Sequence, residues 1–260
     1  MPPSILFVGD VVAAPGRRAL AELLPALREE LTIDFVVVNG ENAAGGIGIT
    51  AKTAKEIFVA GADVITLGNH TYRHREVYGY LDDEPNILRP VNFLPSQPGH
   101  GTCVVERGGV TLGVVNLSGN LYMNAARPAF TEIESALRDV RDADHVLVDM
   151  HAEATSEKVA LGWVLDGRVT AVVGTHTHVA TNDARVLPEG TAYITDVGMT
   201  GARGGVIGVL KEDSIAQLRT RMPVRYGAAT EDPWLNAVLV RCAEKPRSAS
   251  SIEPVLRPIA

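Results

Sequence analysis

The chain has 260 residues, 46% of them hydrophobic and 21% charged, enough to bury a sizeable core as one unit spanning residues 1–260. Its formal net charge of −7, with acids and bases interspersed, excludes an extended nucleic-acid surface built on a basic patch. No apolar run approaches the roughly 18 to 20 residues of a membrane span, so no membrane partner is expected.

The opening "MPPSILFVGD" has no basic n-region and enters a strand-like run, so it does not read as a secretory signal. Short β-branched runs then alternate with longer amphipathic stretches: "SILFVG" with "GRRALAELLPALREEL", "FVVVNG" with "TAKTAKEIFVAGA", and "DVITLG" with "REVYGYLDD". Apolar runs without polar interruption are what strands buried on both faces look like, and the alternation predicts a layered α/β fold. "TCVVERGGVTLGVVNL" is broken by Arg107-Gly108-Gly109, a hairpin signature that adds antiparallel strands and makes the sheets mixed.

Further along, "PAFTEIESALRDV" predicts a helix, "HVLVDM" a strand, and "TSEKVALGWVLDG" a helix with Thr155 or Ser156 as its N-cap. "TAVVG", "TAYITDVG", "NAVLVRCAE" and "IEPVLRPIA" read as strands, and "EKPRSASS" as a loose polar connection. No internal repeat is seen. Cys103 and Cys242 lie far apart in strand-like segments with no CxxC spacing; they read as small buried hydrophobes in a reducing cytoplasm.

The chemistry stands at the ends of the strands. Asp10 closes "ILFVG", Glu41 and Asn42 close "FVVVNG", Asn69 and His70 close "VITLG", His151 closes "VLVDM", and His176 and His178 close "AVVGT". Sites form at the carboxyl ends of strands in open α/β sheets, so these scattered residues are placed to meet. Singly, each has a plain explanation: Asp or Asn after a strand is commonly a turn or cap residue, and a lone His is commonly a surface or core residue. As a set they are harder to dismiss, because four of the seven histidines fall directly after strands. His74, His100 and His145 lack that placement and read as structural or surface residues.

Three histidines, Asp10, Glu41 and two Asn amides, without thiolate, form a mixed nitrogen and oxygen shell suited to iron, manganese or zinc rather than calcium or magnesium. The set exceeds the three protein ligands usual for one catalytic zinc, and suits two ions sharing a carboxylate. Two divalent ions, two carboxylates and a bridging hydroxide leave a local charge of about plus one, which matches a phosphodiester monoanion. His70 is the expected proton donor to a leaving alkoxide, against a rival role as a further ligand or a simple hydrogen-bonding group.

The blocks "GD" at 9–10, "GEN" at 40–42, "GNH" at 68–70, His151 and "GTHTH" at 174–178 resemble, in order, those of the calcineurin-like metallophosphoesterases. "FVGDVVAAPGR", "NGENAAGGIGIT", "MHAEATSEK", "DGRVTAVVGTHTHVAT" and "TAYITDVGMTG" resemble the YmdB-like bacterial phosphodiesterases over nearly the whole chain. The resemblance implies a metallophosphoesterase-like sandwich of mixed β-sheets flanked by helices. It implies that Asp10, Glu41, Asn42 and His178 serve a first metal, with Glu41 bridging to a second held also by Asn69, His151 and His176. It further implies iron or manganese, attack by a hydroxide bridging the two ions, cyclic mononucleotides such as 2',3'-cAMP and 3',5'-cAMP as substrates, and a homo-oligomer. Two departures from the broad superfamily stand out: Val12 occupies the position of a usual histidine ligand, and Glu41 replaces the usual bridging Asp.

Rival readings are a phosphomonoesterase using the same dinuclear site, a regulatory nucleotide-binding protein with little turnover, and an amidohydrolase-type H-x-H centre. The last motif normally closes an early strand, whereas "HTH" closes a late one. "AAGGIGIT" and "GARGGVIG" lack the P-loop pattern and read as loops packed near the site. "NLSGNLYMNAARP" reads as a loop, with a substrate-facing lid as the alternative.

Overall fold

The apolar run of residues 4–8 is buried throughout, and the two-residue period of a strand sends its side chains into two different cores. Leu6 and Val8 pack among helix side chains, whereas Ile5 and Phe7 pack between two sheets. The same division runs through Val36 and Val38 against Phe35 and Val37. It accounts for the absence of polar interruption in these runs.

The computed structural model describes residues 2–259. In chain order the elements begin β1 (Ser4–Val8), α1 (Ala13–Glu30), β2 (Phe35–Asn39), α2 (Ala51–Ala60) and β3 (Val64–Thr66). A 3-10 turn, Arg75–Val77, then leads into α3 (Tyr78–Asp83), β4 (Ile87–Leu88), β5 (Thr102–Arg107), β6 (Val110–Ser118) and α4 (Ala129–Asp139). There follow β7 (His145–His151), α5 (Thr155–Leu165), β8 (Ala171–Thr175), β9 (Arg185–Val186), β10 (Ala192–Ile194) and β11 (Gly201–Ala202). The last elements are α6 (Lys211–Thr220), β12 (Pro233–Cys242) and β13 (Ala249–Pro258).

Two mixed sheets form a sandwich. The first has the order β11-β12-β1-β2-β3-β4, with β13 also on β12; β1 to β4 are parallel and β12 runs against β1. The second has the order β5-β6-β7-β8-β10-β9, with parallel β6, β7, β8 and β10 between antiparallel edges. Helices α1 and α2 share a core with the outer face of the first sheet, and α4 and α5 with that of the second. The expected sandwich of mixed sheets flanked by helices is the observed fold.

The hairpin forms as predicted: β5 and β6 pair antiparallel across Gly108 and Gly109, whose φ of 61° and 79° give the left-handed pair that a two-residue turn needs. Helix α2 is capped by Thr50, whose side chain accepts from the Thr53 amide while Thr53 answers the Thr50 amide. Two readings need correction. Helix α5 begins at Thr155 with Ala154 as its cap residue and no side-chain cap bond, so neither Thr155 nor Ser156 caps it. The supposed loose connection is shorter than "EKPRSASS", because β13 already starts at Ala249. Helix α6 carried no clear apolar stripe to announce it; Ser214 is its one buried residue among those described.

Candidate metal centre

Parallel β1, β2 and β3 in one sheet and parallel β7 and β8 in the other end on the same side of the sandwich. The residues at or just after those ends meet there, His151 being the last residue of β7. Asp10, Glu41, Asn42 and His151 are buried, His70, His176 and His178 are half-buried, and Asn69 is exposed. His74, His100 and His145 lie elsewhere: His74 reaches the Ile47 carbonyl, His100 the Asp82 carbonyl, and His145 the Thr170 hydroxyl.

The two histidines of "GTHTH" do not continue a strand. β8 stops at Thr175, and His176 and His178 adopt φ of 98° and 64°, a conformation costly for residues with a side chain. They therefore turn to separate neighbours instead of sharing one face. Asp196 holds the residue between them, its Oδ2 accepting from the Thr177 amide at 3.1 Å and hydroxyl at 2.7 Å.

His151, His176 and His178 each have one ring nitrogen occupied from behind. His151 Nδ1 lies 2.9 Å from Thr175 Oγ1, and that hydroxyl donates to Asp149 Oδ1 at 2.7 Å, so its oxygen is left to accept the Nδ1 proton. His176 Nε2 lies 3.1 Å from Glu153 Oε2, and His178 Nδ1 lies 2.9 Å from the Ile207 carbonyl. Acceptors at these positions fix the tautomers, which turns the other nitrogen of each ring toward the site as a lone pair.

Those lone pairs converge. His151 Nε2 is 3.1 Å from Asn69 Oδ1, 3.1 Å from His176 Nδ1 and 3.2 Å from Glu41 Oε1. Ligand atoms of Glu41, His151 and His176 all lie within 4.8 Å of one another. Acceptors gathered this closely repel unless a cation sits among them, so the donor set fits a metal ion. Beside it stands a looser group. Asp10 Oδ1 is buried without a hydrogen-bond partner, 3.8 Å from His178 Nε2, and Asn42 Nδ2 lies 3.0 Å from the same nitrogen and 3.1 Å from Glu41 Oε1. An orphaned buried carboxylate oxygen is costly, and it too faces the place where a cation fits.

The proton equilibria carry the same signature. Burial alone would raise the Glu41 carboxyl, yet the charge and hydrogen bond of His151, together with His70, hold it well below the usual range. Burial opposes the charged form of His151, but Glu41, Asp10 and Asp149 push it up to about 9. Burial and then the His151 charge press His176 down to about 3. Burial raises Asp10, with the His178 charge the largest opposing influence. In the protein alone, a proton on His151 supplies positive charge that the carboxylates demand.

His70 stands at the edge of this centre. Its Nδ1 is 3.1 Å from Glu41 Oε1 and 3.0 Å from Asn42 Oδ1, while its backbone amide donates to Glu41 Oε2. Nε2 has no protein partner among the described residues, and His70 borders a cleft of about 430 Å³. Both glycine-rich loops line that cleft, through Gly45, Gly46 and Gly208, as expected.

Sequence reasoning missed the residues behind the centre. Asp149, at the middle of β7, accepts from Thr66 at 2.6 Å and from Asn39 at 3.0 Å, tying the second sheet to the first directly beneath His151. An acid inside the run "HVLVDM" was the available signal. Glu153, two residues after His151, stood in the sequence only within the segment "MHAEATSEK". Gly68 belongs to the same set: a Cβ there would collide with the His151 ring and Glu41 Oε2, so only glycine lets the third strand approach.

The family described as YmdB-like protein matches residues 6–255. The chain is 44% identical over 253 residues to a 2',3'-cyclic-nucleotide 2'-phosphodiesterase of Bacillus subtilis, covering 97% of this chain and 96% of that one. A Thermus thermophilus crystal structure described only as a hypothetical protein superposes with a TM-score of 0.93 at 40% identity, covering 99% of this chain and 100% of that one. A Mycoplasma pneumoniae structure described as a novel phosphatase superposes with a TM-score of 0.92 at 32% identity, covering 99% and 94%.

Proposed function

The chain belongs to the YmdB-like protein family, and from that premise we propose that it is a metal-dependent phosphodiesterase hydrolysing cyclic mononucleotides, 2',3'-cAMP and 3',5'-cAMP among them. The observation that carries this reading is the convergence of Asn69 Oδ1, His176 Nδ1 and Glu41 Oε1 on His151 Nε2. Asp10, Glu41, Asn42 and His178 would hold one ion. Glu41 would bridge to a second, held also by Asn69, His151 and His176, with iron or manganese suited to the mixed shell. When bound, the pair supplies Lewis-acid polarisation of the phosphoryl oxygens and acidifies the attacking water.

The remaining roles fall to the chain itself. Glu41 and Asn42 anchor His70 through Nδ1, which leaves Nε2 as the atom that gives its proton to the leaving oxygen as the P–O ester bond breaks. Thr175, Glu153 and the Ile207 carbonyl keep the other histidines in one tautomer and so keep their lone pairs on the site. The cleft of about 430 Å³ lies in the size range of small-molecule sites, on the order of 300–1,000 Å³. No covalent enzyme intermediate is required.

Residues 1–260 would act as one unit. Free Cys103 and Cys242 favour a reducing cytoplasm, and no helix among the described residues is long and apolar enough to cross a membrane. A homo-oligomer is carried over from the family resemblance. The deciding experiment loads the purified chain with manganese, or with iron under anaerobic conditions. It then compares 2',3'-cAMP, 3',5'-cAMP, bis-p-nitrophenyl phosphate and p-nitrophenyl phosphate. Faster turnover of the diesters is expected; absence of turnover on every cyclic nucleotide and model diester sinks the reading, and preference for the monoester moves it to a phosphatase.

A further inference from the structure

A phosphodiester has two ester arms, and a cyclic mononucleotide carries both on one ribose, so it needs one cleft beside the phosphate. The centre has two. The first, of about 430 Å³, runs past His176 and His178 to Ile47, Ile207 and Tyr226. The second, of about 510 Å³, opens on the other flank and is lined by Asn69, Tyr72, Phe93, Leu94, Gln97 and Asn124. Both are bordered by His70, the residue whose proton goes to the leaving oxygen.

From this pairing we propose that the site also cleaves dinucleoside monophosphates, with one nucleoside in each cleft. The inference rests on the phosphodiesterase reading above and extends it to a second substrate class, dinucleoside monophosphates. In the reaction, a P–O bond forms to the oxygen of water and the bond to one nucleoside oxygen breaks. That oxygen takes the proton from His70, and a nucleoside monophosphate and a free nucleoside result.

The chemistry of the second cleft favours a neutral, flat occupant. The Tyr72 and Phe93 rings stand 6.0 Å apart and tilted by 37°, and the Tyr72 hydroxyl donates to the Pro98 carbonyl at 2.7 Å, so its polar end is already satisfied. Leu94 beside them is 50% exposed. Gln97 accepts from the Leu94 amide at 2.8 Å through Oε1, and its NH2 end and the exposed Asn124 amide can meet base edges. Apolar and aromatic walls with a few amides suit a nucleobase. Neither Lys nor Arg lines this cleft, which argues against a second phosphate as its occupant.

The outer wall is built rather than loose. Asn92 donates to the Ser118 carbonyl at 2.8 Å and the Arg127 carbonyl at 3.0 Å, and Glu157 accepts from the Asn120 and Leu121 amides. The segment first read as loop or lid is thus pinned at its base, and Asn124 and Ala126 form the rim.

The test uses the manganese-loaded protein with thymidylyl-(3'→5')-thymidine, which lacks the 2'-hydroxyl needed for self-cleavage, against 2',3'-cAMP. Wild type is expected to cleave both. Ala126→Trp and Leu94→Asp, each at an exposed position, should lower kcat/KM on the dinucleotide about tenfold more than on the cyclic nucleotide, chiefly through KM, the scale of one lost stacking contact. Cleavage of 2',3'-cAMP without the dinucleotide overturns the inference and leaves the phosphodiesterase standing. Equal losses on both substrates also overturn it. Cleavage of neither overturns the phosphodiesterase reading itself.

Discussion

Lys158 Nζ lies 2.7 Å from Asp196 Oδ2, with both side chains withdrawn from solvent. The same carboxylate oxygen holds Thr177 by its amide and hydroxyl, and Oδ1 accepts from the Gly198 amide at 2.8 Å. A charge from α5 thereby braces the turn that carries His176 and His178 in left-handed backbone. The buried pair is held by the arrangement around it rather than by its own attraction.

Removing one member of that pair strands the other. Lys158→Met is expected to cost about 3–5 kcal/mol of folding free energy, read from the urea midpoint, and Lys158→Met combined with Asp196→Asn should recover part of it. A single variant as stable as wild type would show that Asp196 is accommodated without its partner.

For His70 the expectation separates chemistry from metal binding. His70→Ala should lower kcat by about 10²–10⁴-fold, the range of a lost proton-transfer group, with metal content by elemental analysis unchanged. Loss of metal in step with activity would make His70 a ligand instead.

Asp149 touches no substrate in this scheme; it positions His151 through Thr175. Asp149→Ala should weaken metal retention about 10–100-fold, as expected when the group behind a ligating histidine is lost, measured by chelator competition. Asp149→Asn, which can still accept from Thr175, should recover much of it. Unchanged affinity in Asp149→Ala would remove Asp149 from that role.

Gly68→Ala sets a Cβ against His151 and Glu41 and should abolish metal retention. Gly79→Ala is the control, since a Cβ there meets nothing within 4 Å, and inside α3 it should add up to about 1 kcal/mol. Elemental analysis of the two variants side by side decides the matter; full metal content in Gly68→Ala would refute the close approach.

The pH dependence follows from His151. Its pKa in the folded chain is raised from 6.5 to about 9, so in metal-stripped protein its stabilising contribution is fully present below pH 6.5 and is lost as pH rises toward 9. Metal binding requires the neutral ring, so affinity should rise across the same interval. The difference in Tm between stripped wild type and stripped His151→Gln should narrow from pH 6.5 to 9; a constant or widening difference would contradict the assignment.

What lies close along the chain was legible in its residues. Unbroken apolar runs announced strands buried on both faces, because alternate side chains of Ile5, Leu6, Phe7 and Val8 must each find a core. Gly108 and Gly109 announced the hairpin, and the placement of Asp10, Glu41, Asn69, His151 and His176 just after strands announced where a site would form. Each of these is a local pattern with a local physical cause.

Which nitrogen of each histidine faces the site emerges only from packing, because the acceptors that settle it come from other elements: Thr175 behind His151 and Ile207 behind His178. Packing alone joined Asn39 to Asp149 across 110 positions, while the contact of Asn42 with His178 across 136 positions brings together two residues that the resemblance had already grouped. It also placed Tyr72 and Phe93 on a second cleft. Hydrogen bonds and cleft walls between sheets depend on register and packing, which no spacing within one segment encodes.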